Sequence, residues 1–333
     1  MKENILAITL GDPAGVGPEI AAKFIAKSSP IQSGCVVFVG CEWSIEMGAL
    51  SCGLTLPPIN SIEDFAQART GLNFLDIGLK KPSDFRYGEV QSDCGHIAVE
   101  SVERAGLACL AKEISGMVTC PLNKEAIHAA GFIDDLGHQE ILARLAGVNW
   151  TATMLMTPGL KVAHLSTHKS LIEAARYVTK ENISSKIELI HDTLSGWGLA
   201  NPKIAVAALN PHGGEGGLLG REEIEEIGPA IIESQGEGFD VAGPIPSDSV
   251  FYRTIDGEFD VVLALYHDQG HIAIKVHNFH ESITATLGVP FVRTSVDHGT
   301  AFDIAGTGKA KEEGLESAIR AANLIIDGKL HQF

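Results

Sequence analysis

Ile5-Leu6-Ala7-Ile8-Thr9-Leu10, then Gly11-Asp12-Pro13-Ala14-Gly15-Val16-Gly17-Pro18-Glu19, then Ile20-Ala21-Ala22-Lys23-Phe24, is the stretch on which the fold turns. A short apolar, β-branched run reads as a strand buried on both faces. The Gly/Pro segment is a loop, and Pro18 opens a helix at a position where its missing N–H costs nothing. Strand, glycine-rich loop and helix in that order begin a parallel βαβ unit. The alternation recurs along the chain. Residues 36–39, 116–119, 161–165, 204–209 and 261–265 read as further strands. Helical stretches follow from Ser170, over 222–233 and over 314–327. This predicts an α/β protein of two α/β/α domains, with largely parallel sheet covered by helices on both faces. There is no internal repeat, low-complexity tract or Pro/Ser linker to mark a boundary.

The 333 residues are enough for two domains, and 45% hydrophobic against 20% charged residues supports a sizeable core. Lysine and arginine number 25 against 42 acidic residues, a net charge of −17. Such a chain repels phosphate backbones and anionic lipid, which argues against nucleic-acid and membrane partners. Any anionic ligand then needs cations placed locally. The apolar run at the N-terminus reaches Gly11 too soon for a signal peptide, and no run approaches the ~20 residues of a membrane span. Cys35, Cys41, Cys52, Cys94, Cys109 and Cys120 include no CxxC pair, so reduced core thiols and a cytoplasmic location are expected.

Three strands end in polar clusters of one kind. Residues 162–165 run into Ser166-Thr167-His168-Lys169, 204–209 into Asn210-Pro211-His212-Gly213-Gly214-Glu215, and 261–265 into Tyr266-His267-Asp268-Gln269-Gly270-His271. In open α/β sheets ligands gather beyond the carboxyl ends of strands, so His168, His212 and His267 are candidates to converge. Three imidazoles suit Zn, Mn, Co or Ni and leave coordination positions for substrate. Any one of 13 histidines taken alone is better read as a surface or hydrogen-bonding residue. The shared position is what raises these three; His96, His128, His164, His191, His277, His280 and His331 are left structural or solvated.

Lys275, eight residues past His267, and Arg293 stand between apolar runs, as clamps for a carboxylate or phosphate or as snorkelling surface cations. Asp248 could take a proton or assist a metal, or be a turn residue. His138 is a polar contact before a helix, or its cap. Gly213, Gly214, Gly216 and Gly217 form either an anion-binding nest or a flexible turn. No GxGxxG is present, so an ordinary Rossmann site is not supported. The 11–19 loop, at a helix N-terminus, favours an anion only weakly.

With His298-Gly299-Thr300-Ala301-Phe302-Asp303-Ile304-Ala305-Gly306-Thr307-Gly308-Lys309, that loop resembles segments of the isocitrate/isopropylmalate dehydrogenase fold, in which both chain ends build one domain. A closer resemblance, along nearly the whole chain, is to the 4-hydroxythreonine-4-phosphate dehydrogenase family. It rests on the 11–19 loop, Gly137-His138-Gln139-Glu140, Ser166-Thr167-His168, Leu209-Asn210-Pro211-His212-Gly213-Gly214-Glu215, Tyr266-His267-Asp268-Gln269-Gly270 and Arg293-Thr294-Ser295-Val296-Asp297-His298-Gly299-Thr300-Ala301.

The resemblance implies a homodimer with active sites between two domains and shared across subunits. It also implies NAD or NADP as cofactor and one divalent metal (Zn, Mn, Co, Ni or Mg) on His168, His212 and His267. Asp248 and Lys275 take catalytic positions; His138, Gln139, Lys275, Thr284 and Arg293 bind substrate. Gly288, Asp297, His298, Gly299, Thr300 and Asp303 belong to the cofactor. The expected domains are 1–128 with 298–333 for the cofactor, and 129–297 for metal, substrate and dimerisation.

The implied reaction is oxidative decarboxylation of a four-carbon 3-hydroxy acid 4-phosphate. Gln139 replaces the family's usual Thr and Thr284 its usual Asn, and His271 resembles the branch acting on D-threonate or D-erythronate 4-phosphate. Alternatives are a dehydrogenase of unphosphorylated carboxylated cis-dihydrodiols, a metal-dependent lyase without NAD, and a non-catalytic sensor of small acids.

Overall fold

The computed structural model describes residues 4–27 and 34–333. Its first elements are β1 (Ile5–Thr9), α1 (Gly17–Ala26), β2 (Cys35–Gly40), α2 (Glu42–Ser51), β3 (Asn60–Ile62), β4 (Gly71–Asp76), α3 (Ser92–Leu110), β5 (Gly116–Thr119), α4 (Lys124–Ala129) and α5 (His138–Ala146). There follow β6 (Ala152–Thr157), β7 (Leu160–His164), α6 (Leu171–Arg176), α7 (Lys180–Gly196), β8 (Ile204–Ala207), α8 (Gly228–Gly236) and β9 (Val241–Ile245). The remainder comprises α9 (Ser247–Ile255), β10 (Val261–Ala264), α10 (His267–His277), β11 (Ile283–Leu287), β12 (Val292–Val296) and α11 (Glu313–Ile326). Each strand read from an apolar run is present, and Pro18 stands in the first turn of α1.

The chain divides into two compact units, Met1–Trp150 with Val289–Asn323, and Thr151–Gly288 with Leu324–Phe333. In the first, strands lie in the order β3-β4-β2-β1-β5-β12, and every pairing is parallel. Val37, Val39, Val99, Val102, Met117, Ile127, Ile141 and Leu142 share one buried cluster there. Each such side chain contributes about 1.5–3 kcal/mol through burial. A break after residue 128 would cut α4, and Ile127, Ile141 and Leu142 tie residues 124–146 to α3. Val289 and Phe291 join the same cluster, so the division falls before β12 rather than at 297.

The second unit runs β11-β6-β7-β10-β8-β9. β7, β10, β8 and β9 are mutually parallel, whereas β11-β6 and β6-β7 are antiparallel. The antiparallel part departs from the sequence expectation. Its cause is local: Thr157 pairs with Leu160, so only Pro158 and Gly159 remain to turn the chain, which permits a hairpin and no crossover. Residues 324–333 were expected with the other domain. They sit here because Gly159 N–H donates to the Phe333 carbonyl at 2.9 Å and Gly198 abuts Gly328 too closely for a Cβ.

Candidate active site

The strand order decides whether the histidines can meet. β10 lies between β7 and β8, all three parallel, so His168, His267 and His212 emerge from one edge of three adjacent strands. Polar groups staple that edge. Gln269, buried, accepts from Leu265 N–H at 2.6 Å and donates to the Ala208 carbonyl and Ser247 Oγ, both at 2.8 Å. Ser247 Oγ itself donates to the Ala208 carbonyl at 2.8 Å, and Ser166 Oγ to the Leu265 carbonyl at 3.2 Å. The sequence alone assigns these three residues no role. Their signal was present: a buried amide must find partners, and strand-end carbonyls are the nearest acceptors.

His212 is held by unusual backbone. Residues 212–216 all have positive φ, from 45° to 80°, forming a left-handed turn that includes the non-glycines His212 and Glu215. For an L-residue this costs roughly 1–2 kcal/mol, and such strain persists only where surroundings enforce it. The enforcing group is Glu223, buried at the start of a short π-helical turn (Glu223–Ile227). Its Oε1 accepts from Leu209 N–H at 2.9 Å and Asn210 N–H at 2.7 Å, and its Oε2 from Asn210 Nδ2 at 2.8 Å. Glu223 thus ties down the chain that enters the turn, through Leu209 and Asn210, so the turn is built rather than flexible. Glu223→Ala, which orphans the Leu209 and Asn210 N–H donors and leaves Asn210 Nδ2 only Glu222, is expected to destabilise by about 2–4 kcal/mol in urea unfolding, with Glu223→Gln losing less. Equal stability of Glu223→Ala and wild type would remove Glu223 from this role.

His267, read from the sequence as a strand-end residue, is the first residue of α10, with Tyr266 as its N-cap. Its Nδ1 bonds Asp268 Oδ1 at 2.7 Å, which leaves Nε2 as the ring nitrogen available to a ligand. His168 lies exposed in the bend between β7 and α6, whose Ser170–Glu173 capping box starts the helix expected there. Asp248 is exposed in the first turn of α9, not in a plain turn. Among the described residues no three His, Cys, Asp or Glu side chains of one chain are grouped closely enough to hold a metal. The donor chemistry fits a divalent cation; a single chain does not complete the set.

Beneath His267 sits a feature the sequence reading passed over. The His267 and His271 rings stack at 3.6 Å and 11°, and the His271 and His164 rings lie 4.7 Å apart. His164 is buried, and burial, reinforced by the nearby His271 and His267, pushes it down to about 3, so it is neutral.

In the first unit, His138 and Arg293 come together. Arg293 on β12 is buried and donates through Nε and Nη2 to Thr119 Oγ1 at 3.1 and 2.5 Å. Burial pulls it down to about 9, opposed by the charge of Glu140, so it remains cationic at neutral pH. His138 is the first residue of α5, after Gly137 as N-cap. Burial first, then the Arg293 charge, hold it well below the usual imidazole range, against a hydrogen bond to the Cys120 backbone. Its enclosed Nε2 has no hydrogen-bond partner, a neutral acceptor beside a buried cation. Gln139 follows on α5; in the second unit Lys275 lies on α10, over the Phe279 ring at 4.9 Å, and Thr284 on β11 opposite Leu155. Thr119 and Glu140 were missed.

Residues 11–20 are wholly buried, which corrects the reading of this loop as an anion site. Its groups are spent on the 298–310 segment. Val16 N–H donates to the Thr300 carbonyl at 3.0 Å, Glu19 accepts from Gly306 N–H, and Lys23 Nζ donates to the Gly308 and Ala310 carbonyls at 2.8 and 2.5 Å. That scaffold leaves His298, Gly299 and Asp303 exposed, with Asp297 half-buried and Thr300 buried; Gly288 follows β11 at φ 89°.

The Asp12 carboxyl accepts only from Ala14 N–H, at 2.8 Å, and burial pushes it up to about 7. A raised carboxyl binds its proton more tightly when folded, so this residue destabilises the native state increasingly as pH rises from about 4 to 7. Asp12→Asn is therefore expected to gain, relative to wild type, on the order of a few kcal/mol at pH 8 and little at pH 4. Thermal unfolding at both values checks this; a gain independent of pH would contradict it.

The family model described as "Pyridoxal phosphate biosynthetic protein PdxA" matches residues 33–322. D-threonate 4-phosphate dehydrogenase of Pectobacterium atrosepticum is 40% identical over 322 residues, covering 96% of this chain and 98% of that one. The crystal structure of 4-hydroxythreonine-4-phosphate dehydrogenase from Klebsiella pneumoniae superimposes with a TM-score of 0.89 at 40% identity, covering 97% and 99% of the two chains. A terephthalate 1,2-cis-dihydrodiol dehydrogenase from Burkholderia xenovorans gives 0.66 at 28%, covering 98% of each. On a match spanning most of its length, and on relatives this similar from end to end, the chain belongs to the PdxA family.

Proposed function

We propose that this enzyme oxidises the 3-hydroxyl of a four-carbon hydroxy acid 4-phosphate with NAD, and that the resulting 3-keto acid loses carbon dioxide. D-threonate or D-erythronate 4-phosphate is the favoured substrate, with 4-hydroxythreonine 4-phosphate the competitor. The observation that carries the reading is the delivery of His168, His212 and His267 to one edge of three adjacent parallel strands, in a chain whose relatives are named dehydrogenases of such substrates. When bound, a divalent cation makes the hydroxyl a stronger acid and the nicotinamide accepts the hydride.

The chain's own residues supply the rest. The charge of Arg293 and the neutral Nε2 of His138 hold an anionic, hydroxyl-bearing substrate. Lys275 assists in charge balance, and Asp248 is the acceptor for the hydroxyl proton. The exposed 298–303 face, with Gly288 and Asp297, receives the nicotinamide dinucleotide. The reading includes a homodimer with shared sites; what supports it is that the described residues of one chain gather no complete ligand set and that Leu171, Leu218, Ile272 and Val276 are exposed near the three histidines in sequence. Among the described residues no helix is long and apolar enough to cross a membrane, and a cytoplasmic enzyme is proposed.

The test is a substrate panel followed by absorbance of reduced nicotinamide and release of carbon dioxide, with NAD or NADP and each candidate metal. The reading predicts turnover of a four-carbon acid 4-phosphate above that of a carboxylated cis-dihydrodiol. Turnover of the dihydrodiol alone would favour the second reading, to which the Burkholderia structure lends its fold. Carbon–carbon cleavage without nicotinamide reduction would favour a lyase.

A further inference from the structure

His267 and His271 are one helical turn apart on α10, and side chains four residues apart on a helix meet on one face. Their rings do more than meet: the centroids are 3.6 Å apart and the planes differ by 11°. His271 is fixed in turn from two sides. Its Nδ1 bonds the His267 carbonyl at 3.0 Å, and its ring lies 4.7 Å from that of His164, tilted by 51°. His164 is 2% exposed and ends β7, so the stack is anchored in the sheet. Gly270 belongs to this arrangement, because a Cβ there would collide with His164 Nε2; any other residue would lift α10 off the strand. The outermost ring, His267, is the exposed member, with Nδ1 tied to Asp268.

Resting on the reading of His267 as a cation ligand, we infer that His271 is a positioning residue: the His164–His271–His267 stack sets the plane of the His267 imidazole and with it the direction of Nε2. Asp268 restrains the ring only as far as its own side chain is held, and that side chain is 71% exposed and can follow the ring as it turns about Cβ–Cγ. A flat neighbour at stacking distance removes that freedom. Orienting partners of metal-bound histidines typically change affinity 10–100-fold when lost.

The test uses the full-length protein freed of metal and titrated with Co²⁺, followed by calorimetry and by the visible absorption of the bound ion. His271→Leu, which removes the flat face, is expected to weaken Co²⁺ binding about tenfold or more and to alter the absorption bands. His271→Phe keeps a face and is expected to stay close to wild type in both. Circular dichroism of each variant, matched to wild type, guards against loss of fold. Wild-type affinity in His271→Leu would overturn the inference. So would equal losses in the Leu and Phe variants, which would assign the effect to the imidazole nitrogens. His212→Ala separates this from the parent reading. If that variant loses Co²⁺ while His271→Leu keeps it, only the positioning role fails; if His212→Ala also binds normally, the histidine centre fails with it.

Discussion

His212→Ala is expected to lower substrate-dependent nicotinamide reduction by about 10²–10³-fold, the scale seen when one preorganised electrostatic group is removed. The fold should survive. The imidazole is exposed, so its loss opens no cavity. The strained backbone is enforced by Glu223, Asn210 and the glycines, none of which the substitution touches. Replacing His212 by alanine leaves an L-residue at φ 53°, so stability should shift by at most ~1 kcal/mol. Activity and stability therefore separate. Full turnover by His212→Ala would refute a ligand role, and loss of activity together with loss of fold would point to the turn.

Arg293→Ala should reduce kcat/KM by about 10²–10³-fold, at ~1.4 kcal/mol per factor of ten, because a charge-assisted contact to the substrate anion disappears. Most of the loss should fall on KM if the anion is held equally in ground and transition states. Arg293 is also buried, and Thr119 Oγ1 loses two donors, so some destabilisation accompanies it. Arg293→Lys separates these effects: it keeps the charge but lacks the fork that spans Thr119 and an anion, so partial recovery is expected. Removing the charge also relieves His138 of one cause of its low proton affinity, though burial is the larger one. Unchanged KM for every phosphorylated acid in Arg293→Ala would exclude it from substrate binding.

What the sequence disclosed was periodic. Ile5–Thr9 and Val261–Ala264 are short β-branched runs buried on both faces, and such runs have few other readings. The three strand-end histidines were legible for the same reason, since a strand's end can be located from its own residues. Strand order was not. That β10 lies between β7 and β8 depends on long-range pairing, and without it the histidines need not share an edge. The 11–19 loop misled in an instructive way. Glycines before a helix mark close backbone approach, and the approaching partners here are Pro121 at Gly11, Thr300 at Gly15 and Leu10 at Gly17 rather than a ligand. Glu223, Gln269 and Thr119 escaped notice because they act through groups distant in sequence, where no periodicity points. His271 was legible only as a motif residue; its stacking is visible once α10 begins at His267.

The most direct test of the account is anomalous diffraction from crystals of the cobalt-loaded protein. The account predicts one ion per chain, ligated by imidazole nitrogens of His168, His212 and His267 drawn from two copies of the chain. An ion bound elsewhere, or those three rings too far apart to share one across any pair of copies, would contradict it.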